Sequence, residues 1–130
     1  MYSEILIDHF TNPRNIGTLP EPDAYARVGS PGCGDIMELF LSIQDSRIVD
    51  VRYRAFGCAA AIASSSMASE MIKDRTLEQA AALTDEQVAE ALGGLPDVKF
   101  HCAVMAASAI HAALMNYCDK YPQTPVCAFL

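Results

Sequence analysis

The sequence predicts an α+β domain: a three-stranded antiparallel sheet with helices packed on one face, preceded by a short N-terminal helix. Three observations carry the fold class. Apolar residues alternate with period two over residues 37–44 and 49–55, and with period 3.6 after residue 58. Two Thr-x-x-Gln boxes, Thr76–Gln79 and Thr84–Gln87, each read as the capped start of a helix. The strands come first and the helices after, joined by short connections, which is the order of a segregated α+β domain rather than of alternating βαβ units.

Each element has its own signal. Tyr2, Ile5, Leu6, His9 and Phe10 share a helical face, and Asn12-Pro13-Arg14-Asn15-Ile16-Gly17 ends that helix. Pro20 and Pro22 prolong the loop, and Ala24–Val28 reads as a short strand. Met37, Leu39, Leu41 and Ile43 alternate with Glu38, Phe40, Ser42 and Gln44. Val49, Val51, Tyr53 and Ala55 alternate in the same way with Asp50, Arg52 and Arg54. Gln44-Asp45-Ser46-Arg47 is the hairpin turn between them, although it lacks the Asn-Gly signal. Ala59, Ile62, Ala63, Met67, Ala68 and Met71 form a helical stripe ending near Lys73. Gly93-Gly94 closes the helix that Thr84 opens.

The run Cys102–Cys118 is apolar on nearly every face. It falls short of the roughly 20 residues that a bilayer crossing needs, so it is expected to be a buried central helix. Its His111 is expected to be a hydrogen-bonded core histidine. The tail Tyr121–Leu130, with two prolines, cannot continue the helix. Residues 1–130 therefore form one domain, with 119–130 expected to be a loosely ordered tail.

Composition limits the function. In 130 residues, 52% are hydrophobic and 19% charged, with 7 Gly and 7 Pro, a globular balance. Nine Lys and Arg against sixteen Asp and Glu leave a net charge of −7. That deficit argues against nucleic-acid binding and against docking on anionic lipid. The opening Met1-Tyr2-Ser3-Glu4 has no signal-peptide form, so a cytoplasmic location and reduced thiols are expected.

The five cysteines are the unusual feature of that composition, since an odd number cannot all pair within one chain. Three sit at junctions: Cys33 in Ser30-Pro31-Gly32-Cys33-Gly34-Asp35, Cys58 after Phe56-Gly57, and Cys102 at the start of the apolar helix. Helix N-termini favour thiolate at Cys58 and Cys102, with Lys99 near the latter. Gly32, Gly34 and Gly57 permit close approach of backbone to a bulky inorganic ligand. Asp35 and His101 are the candidates for a fourth ligand. Paired Cys-x-x-Cys knuckles are missing, which argues against a zinc ribbon and against a thioredoxin-type site. A hydrolase built on His101 and Cys102 would need sequence neighbours that point about 100° apart on a helix. Cys118 and Cys127 are expected to be small buried hydrophobes. His9 is read either as a packing residue of the first helix or as a partner contact. Ser64-Ser65-Ser66 is read as a run of small side chains that lets helices pack closely rather than as a nucleophile.

The sequence resembles the iron–sulfur cluster assembly scaffold family, IscU and the N-terminal domain of NifU. The matching segments are Tyr2-Ser3, Asp8-His9-Phe10, Asn12–Gly17, Cys33-Gly34-Asp35, Phe56-Gly57-Cys58, Ala61–Ser66, Leu95-Pro96, Val98-Lys99 and His101-Cys102. The resemblance implies a scaffold, not an enzyme, that takes persulfide sulfur from a cysteine desulfurase and binds iron. It would assemble a [2Fe–2S] cluster, with [4Fe–4S] as a further option, and pass it to apo iron–sulfur proteins. Carried over residue by residue, Cys33, Cys58 and Cys102 are the implied cluster ligands, with Asp35 and His101 as alternative fourth ligands. Cys102 is the implied persulfide acceptor and Lys99 an implied partner contact. Labile ligation is reasonable chemistry, because oxygen or nitrogen holds such a cluster less firmly than a fourth thiolate.

Other partners left open by the resemblance are an iron donor and, with cluster bound, a second copy of the chain. Where family members carry Leu-Pro-Pro-Val-Lys for an Hsp70-type chaperone, the second proline here is Asp97, which puts that partner in doubt. The 44-residue spacing of Cys58 and Cys102 leaves no room for the insertion of SufU-type zinc proteins. Zn²⁺ in the apo form, and a zinc-holding sulfurtransferase partner of a desulfurase, stand as the alternative reading.

Overall fold

The computed structural model describes residues 2–30 and 34–130. Its elements run α1 (Glu4–Thr11), β1 (Ala24–Ser30), β2 (Asp35–Gln44), β3 (Arg47–Phe56), α2 (Ala59–Ile72), α3 (Leu77–Ala81), α4 (Asp85–Ala91) and α5 (Phe100–Lys120). Short 3-10 turns cover Asp97–Lys99 and Pro125–Phe129. The predicted order of one helix, three strands and four helices is the order observed.

The sheet is antiparallel in the order β1-β2-β3. Its register explains the alternation in the sequence. Ala24, Leu41 and Val51 lie across from one another, as do Ala26, Leu39 and Tyr53, and all six are buried. The intervening rows, Tyr25–Phe40–Arg52 and Arg27–Glu38–Arg54, form the opposite face. The β2–β3 turn places Asp45 and Ser46 at φ 52° and 60°. Positive φ at both central positions is the hairpin twist that an Asn-Gly pair usually supplies; here two short polar side chains accept it.

Both outer strands have partners outside the sheet. Beside β3, the Gly17 amide donates to the Tyr53 carbonyl and the Tyr53 amide to that of Asn15. The other end of β3 exchanges hydrogen bonds with Asp74 and Arg75. On β1, the Tyr25 amide donates to the Asn116 side chain of α5 at 3.0 Å. Partners at these positions disfavour pairing with another strand there.

The helices pack on the inner face. Both capping boxes form as the sequence predicts, with Thr76 and Thr84 accepting from Gln79 and Gln87 and the glutamines closing back. The α2 stripe is a different one from that expected. Ala60, Ala61, Ala63, Ser64, Ser65, Ser66, Ala68, Ser69 and Ile72 are buried, whereas Ile62, Met67 and Met71 are half-buried. The reason is that α2 is covered by α1, β3 and α5 on different sides, so its small residues, not its large ones, face the tightest contacts.

The serines do more than save space. Ser66 Oγ accepts the Arg14 amide at 3.0 Å and lies 2.8 Å from His9 Nδ1, while Asn15 Nδ2 donates to Ser69 Oγ at 2.9 Å. His9 is therefore a packing residue, buried with α1 against α2. Ile5 and Phe10, expected beside it, are 46% and 42% exposed.

Three further expectations change. The last helix is 21 residues, longer than the apolar run alone. With the turn before it, it is long and apolar enough to cross a membrane by length and composition, yet it packs against β1, β2, α2 and α4. It also has an exposed side, on which Val104, Ser108, His111 and Met115 lie at i, i+4, i+7 and i+11. His111 is thus a surface residue, because α5 borders the domain on that side. The tail is ordered: it folds back, buries Val126 completely and joins Cys127 to Cys118 in a disulfide.

Candidate functional site

Two chain junctions and the first residues of β2 meet at one edge of the domain. Asp35 opens β2, and Cys58 is the residue before α2 at the end of β3. Cys102 lies in the first turn of α5. Pairing of β2 with β3 sets Ile36 across from Phe56, which brings Asp35 beside the Gly57–Cys58 turn. One donor atom from each of Asp35, Cys58 and Cys102 lies within 4.8 Å of the others. The two sulfurs are 3.8 Å apart, and Cys102 Sγ is 3.9 Å from Asp35 Oδ2. Two thiolates bound to one tetrahedral ion at about 2.3 Å would be separated by about 3.8 Å, so the spacing suits a shared ion.

Asp35 is the centre of the site and is 2% exposed. Its Oδ1 accepts the Cys58 amide at 3.3 Å, which ties the carboxylate to the N-terminus of α2. Its Oδ2 lies 3.6 Å from His101 Nε2. That imidazole nitrogen is buried and has no hydrogen-bond partner among the described residues, so it is a polar atom free to serve as a ligand. Gly57 makes the approach possible. It sits at φ +153°, and a Cβ built there would fall 2.1 Å from Asp35 Oδ1.

The two thiols differ. Cys58 is half-buried, whereas Cys102 has no exposed surface. Burial first, then the neighbouring Cys58 and Asp35, push the Cys102 thiol up to about 12. The helix start and Lys99 were expected to favour thiolate at Cys102. Lys99 does act in that direction, but exclusion of water from the anion dominates. Lys99 itself is held above its ordinary range, chiefly by Cys58, then by Tyr2. It is the cation that faces the thiols.

Of the six residues singled out in the sequence, the fold brings Asp35, Cys58, His101, Cys102 and Lys99 together. Cys33 lies outside the described residues, two positions before Asp35. Cys118 and Cys127 are not packed hydrophobes but a bridged pair, with Cα atoms 5.7 Å apart. Sequence reasoning missed this pairing. Its only signal was a prolyl turn, Tyr121-Pro122, between two cysteines nine residues apart.

The sequence matches the family described as NifU-like N terminal domain over residues 1–124. It is 50% identical over 120 residues to the iron–sulfur cluster assembly scaffold protein IscU 1 of Archaeoglobus fulgidus, covering 92% of this chain and 78% of that one. The IscU scaffold protein of Escherichia coli K12 is 43% identical over 123 residues, covering 92% and 95%. Among solved structures, an N-terminal NifU-like protein from Brucella abortus superposes with a TM-score of 0.72 at 22% identity, covering 91% and 94%. A SUF-system scaffold protein from Fervidobacterium islandicum gives 0.69 at 21%, covering 87% and 96%. These likenesses establish the fold.

Proposed function

The chain belongs to the NifU-like N-terminal domain family, and from that premise we infer that it is a scaffold for iron–sulfur cluster assembly. The observation that carries the reading is the convergence of Asp35, Cys58 and Cys102 within 4.8 Å. Cys33, two residues before Asp35 in sequence, supplies the third thiolate, and His101 Nε2 competes with Asp35 for the remaining position. Iron and persulfide sulfur are the substrates; an external electron donor supplies the two electrons that reduce each such sulfur to sulfide, and the product is a [2Fe–2S] cluster, with [4Fe–4S] as a later stage.

Sulfur arrives as the persulfide of a cysteine desulfurase. The Cys102 thiolate attacks the outer sulfur, the S–S bond breaks, and the donor cysteine leaves as thiolate. Cys102 is closed to solvent in this conformation, so transfer follows an opening of the site, and half-buried Cys58 is the thiol met first. Lys99, at the mouth beside Cys58, is placed to meet an acidic partner surface. Recipients are apo iron–sulfur proteins, and the expected location is the cytoplasm. An iron donor, and a second copy of the chain at the cluster-bound stage, belong to the same scheme. The Asp97 position argues against a dedicated Hsp70-type chaperone. No catalytic turnover is assigned to the chain.

A carboxylate at the centre of the site suits release. Oxygen is a poor ligand for the soft iron of such clusters, so a site completed by Asp35 gives up its cargo more readily than one with four thiolates.

A second reading has an observation behind it: the 3.8 Å sulfur separation equally suits a single Zn²⁺ in a protein that relays persulfide without building a cluster. Anaerobic reconstitution with iron, cysteine and a desulfurase separates the two. Visible absorption that is lost in Cys58→Ala supports the scaffold, whereas a colourless protein holding tight zinc excludes it. Asp35→Ala is expected to lengthen the lifetime of the cluster; an unchanged rate of loss removes Asp35 as the labile ligand.

A further inference from the structure

Cys118 and Cys127 take no part in the thiol site. Cys118 lies near the far end of α5, about 24 Å along the helix from Cys102. The chain then turns back on its own hydrogen bonds. The Thr124 amide and hydroxyl both donate to the Tyr121 carbonyl, at 3.1 and 2.8 Å, and the Cys127 amide donates to Thr124 at 3.0 Å. These turns set the two cysteines side by side, bridged, with Cα atoms 5.7 Å apart. The family match ends at residue 124, so Cys127 lies beyond it.

We propose that Cys118 and Cys127 form a thiol–disulfide exchange site for low-molecular-weight thiols and disulfides, which clamps the C-terminal segment to the domain when oxidised and frees it when reduced. Access supports this, since both cysteines are half-buried rather than sealed in the core. Economy of motion supports it too. The bridge spans nine positions, and its opening disturbs neither the sheet nor the thiols at the other end of α5. Apart from the bridge, Val126 is the one fully buried side chain of residues 125–130, held against α3 and α5, while Phe129 is 76% exposed. A segment with a single buried anchor opens easily once its covalent tie is cut.

The chemistry balances with the small disulfide as oxidant. One thiolate of the pair attacks a sulfur of the small disulfide and expels a thiolate. The second then attacks the mixed disulfide and expels the other. The pair loses two electrons and two protons, and the small disulfide becomes two thiols. The reverse direction consumes two thiols.

The full-length protein, equilibrated without oxygen in graded ratios of glutathione to glutathione disulfide, tests this. After acid quenching and alkylation, peptide masses are expected to show Cys118 and Cys127 changing together in one reversible step. In the reduced form, amide hydrogen exchange over residues 122–130 is expected to rise about tenfold or more, with the sheet and α2 unchanged. A bridge that resists excess thiol in the native protein overturns the proposal. So does pairing with Cys58 or Cys102, or a tail whose exchange ignores reduction. Cys118→Ser/Cys127→Ser is expected to give the fast-exchanging tail in every buffer while retaining metal binding at Asp35, Cys58 and Cys102. A tail that still follows the buffer in that variant also overturns it. If the variant does not fold, the titration of the parent protein decides alone.

Discussion

The two ends of α5 carry the same residue type in opposite states. At its start, Cys102 and Cys58 face each other at 3.8 Å with the Asp35 carboxylate beside them. At its end, Cys118 and Cys127 are joined. The difference lies in the supporting structure. The first pair is held apart by three separate elements whose ends are pinned by the sheet register and by Asp35 on the α2 amide. The second pair is brought together by one short turn. A thiol held by rigid remote elements at metal-ligand spacing is suited to an ion, whereas one on a short hydrogen-bonded return is suited to its neighbour.

The strongest test of that contrast is Gly57→Ala. A methyl group 2.1 Å from Asp35 Oδ1 at φ +153° combines backbone strain with overpacking, together about 2–5 kcal/mol. Metal binding at the site is expected to fall with it, while the Cys118–Cys127 bridge forms as before; denaturation midpoints and metal titration read both. If metal binding survives, Asp35 is not held where the site needs it.

Removing the tail bridge comes next. Closing a loop of this length is worth about 3 kcal/mol through the unfolded state, so Cys127→Ser is expected to lower unfolding stability by up to that amount without loss of metal binding. Ser66→Ala is smaller in effect. It strands the Arg14 amide and His9 Nδ1, which costs about 1–3 kcal/mol and is expected to loosen α1 from α2, seen as faster amide exchange in α1.

The smallest effect is pH-dependent. Burial holds the His9 imidazole below its ordinary value. As pH falls through about 6.5, the unfolded chain takes up a proton that folded His9 resists. Stability therefore declines on that side and is restored above it. Denaturant midpoints between pH 7.5 and 5.5 are expected to fall in the parent and to flatten in His9→Gln.

Much of this was legible in the residues. The alternation of Met37–Ile43 and Val49–Ala55, the two Thr-x-x-Gln boxes and the glycines beside Cys33 and Cys58 are local signals, and local signals specify elements. The buried stripe of α2 was not legible, because burial there comes from three neighbours that a single helix does not announce. Nor was the exposure of His111, which depends on α5 lying at the border of the domain.

By itself the sequence determined the order of strands and helices, the family, and a short list of thiol, carboxylate and imidazole candidates, of which the fold gathers Asp35, Cys58, His101 and Cys102 at one edge. Periodicity, capping and motif spacing are properties of neighbouring residues, and neighbouring residues need no fold to be read. Only the tertiary structure decided that Asp35 sits beside Cys58 and Cys102, that Cys102 is closed to solvent, and that Cys118 belongs to Cys127. Those facts depend on distances between chain segments far apart in sequence, or on the direction of a turn, and packing is what sets them.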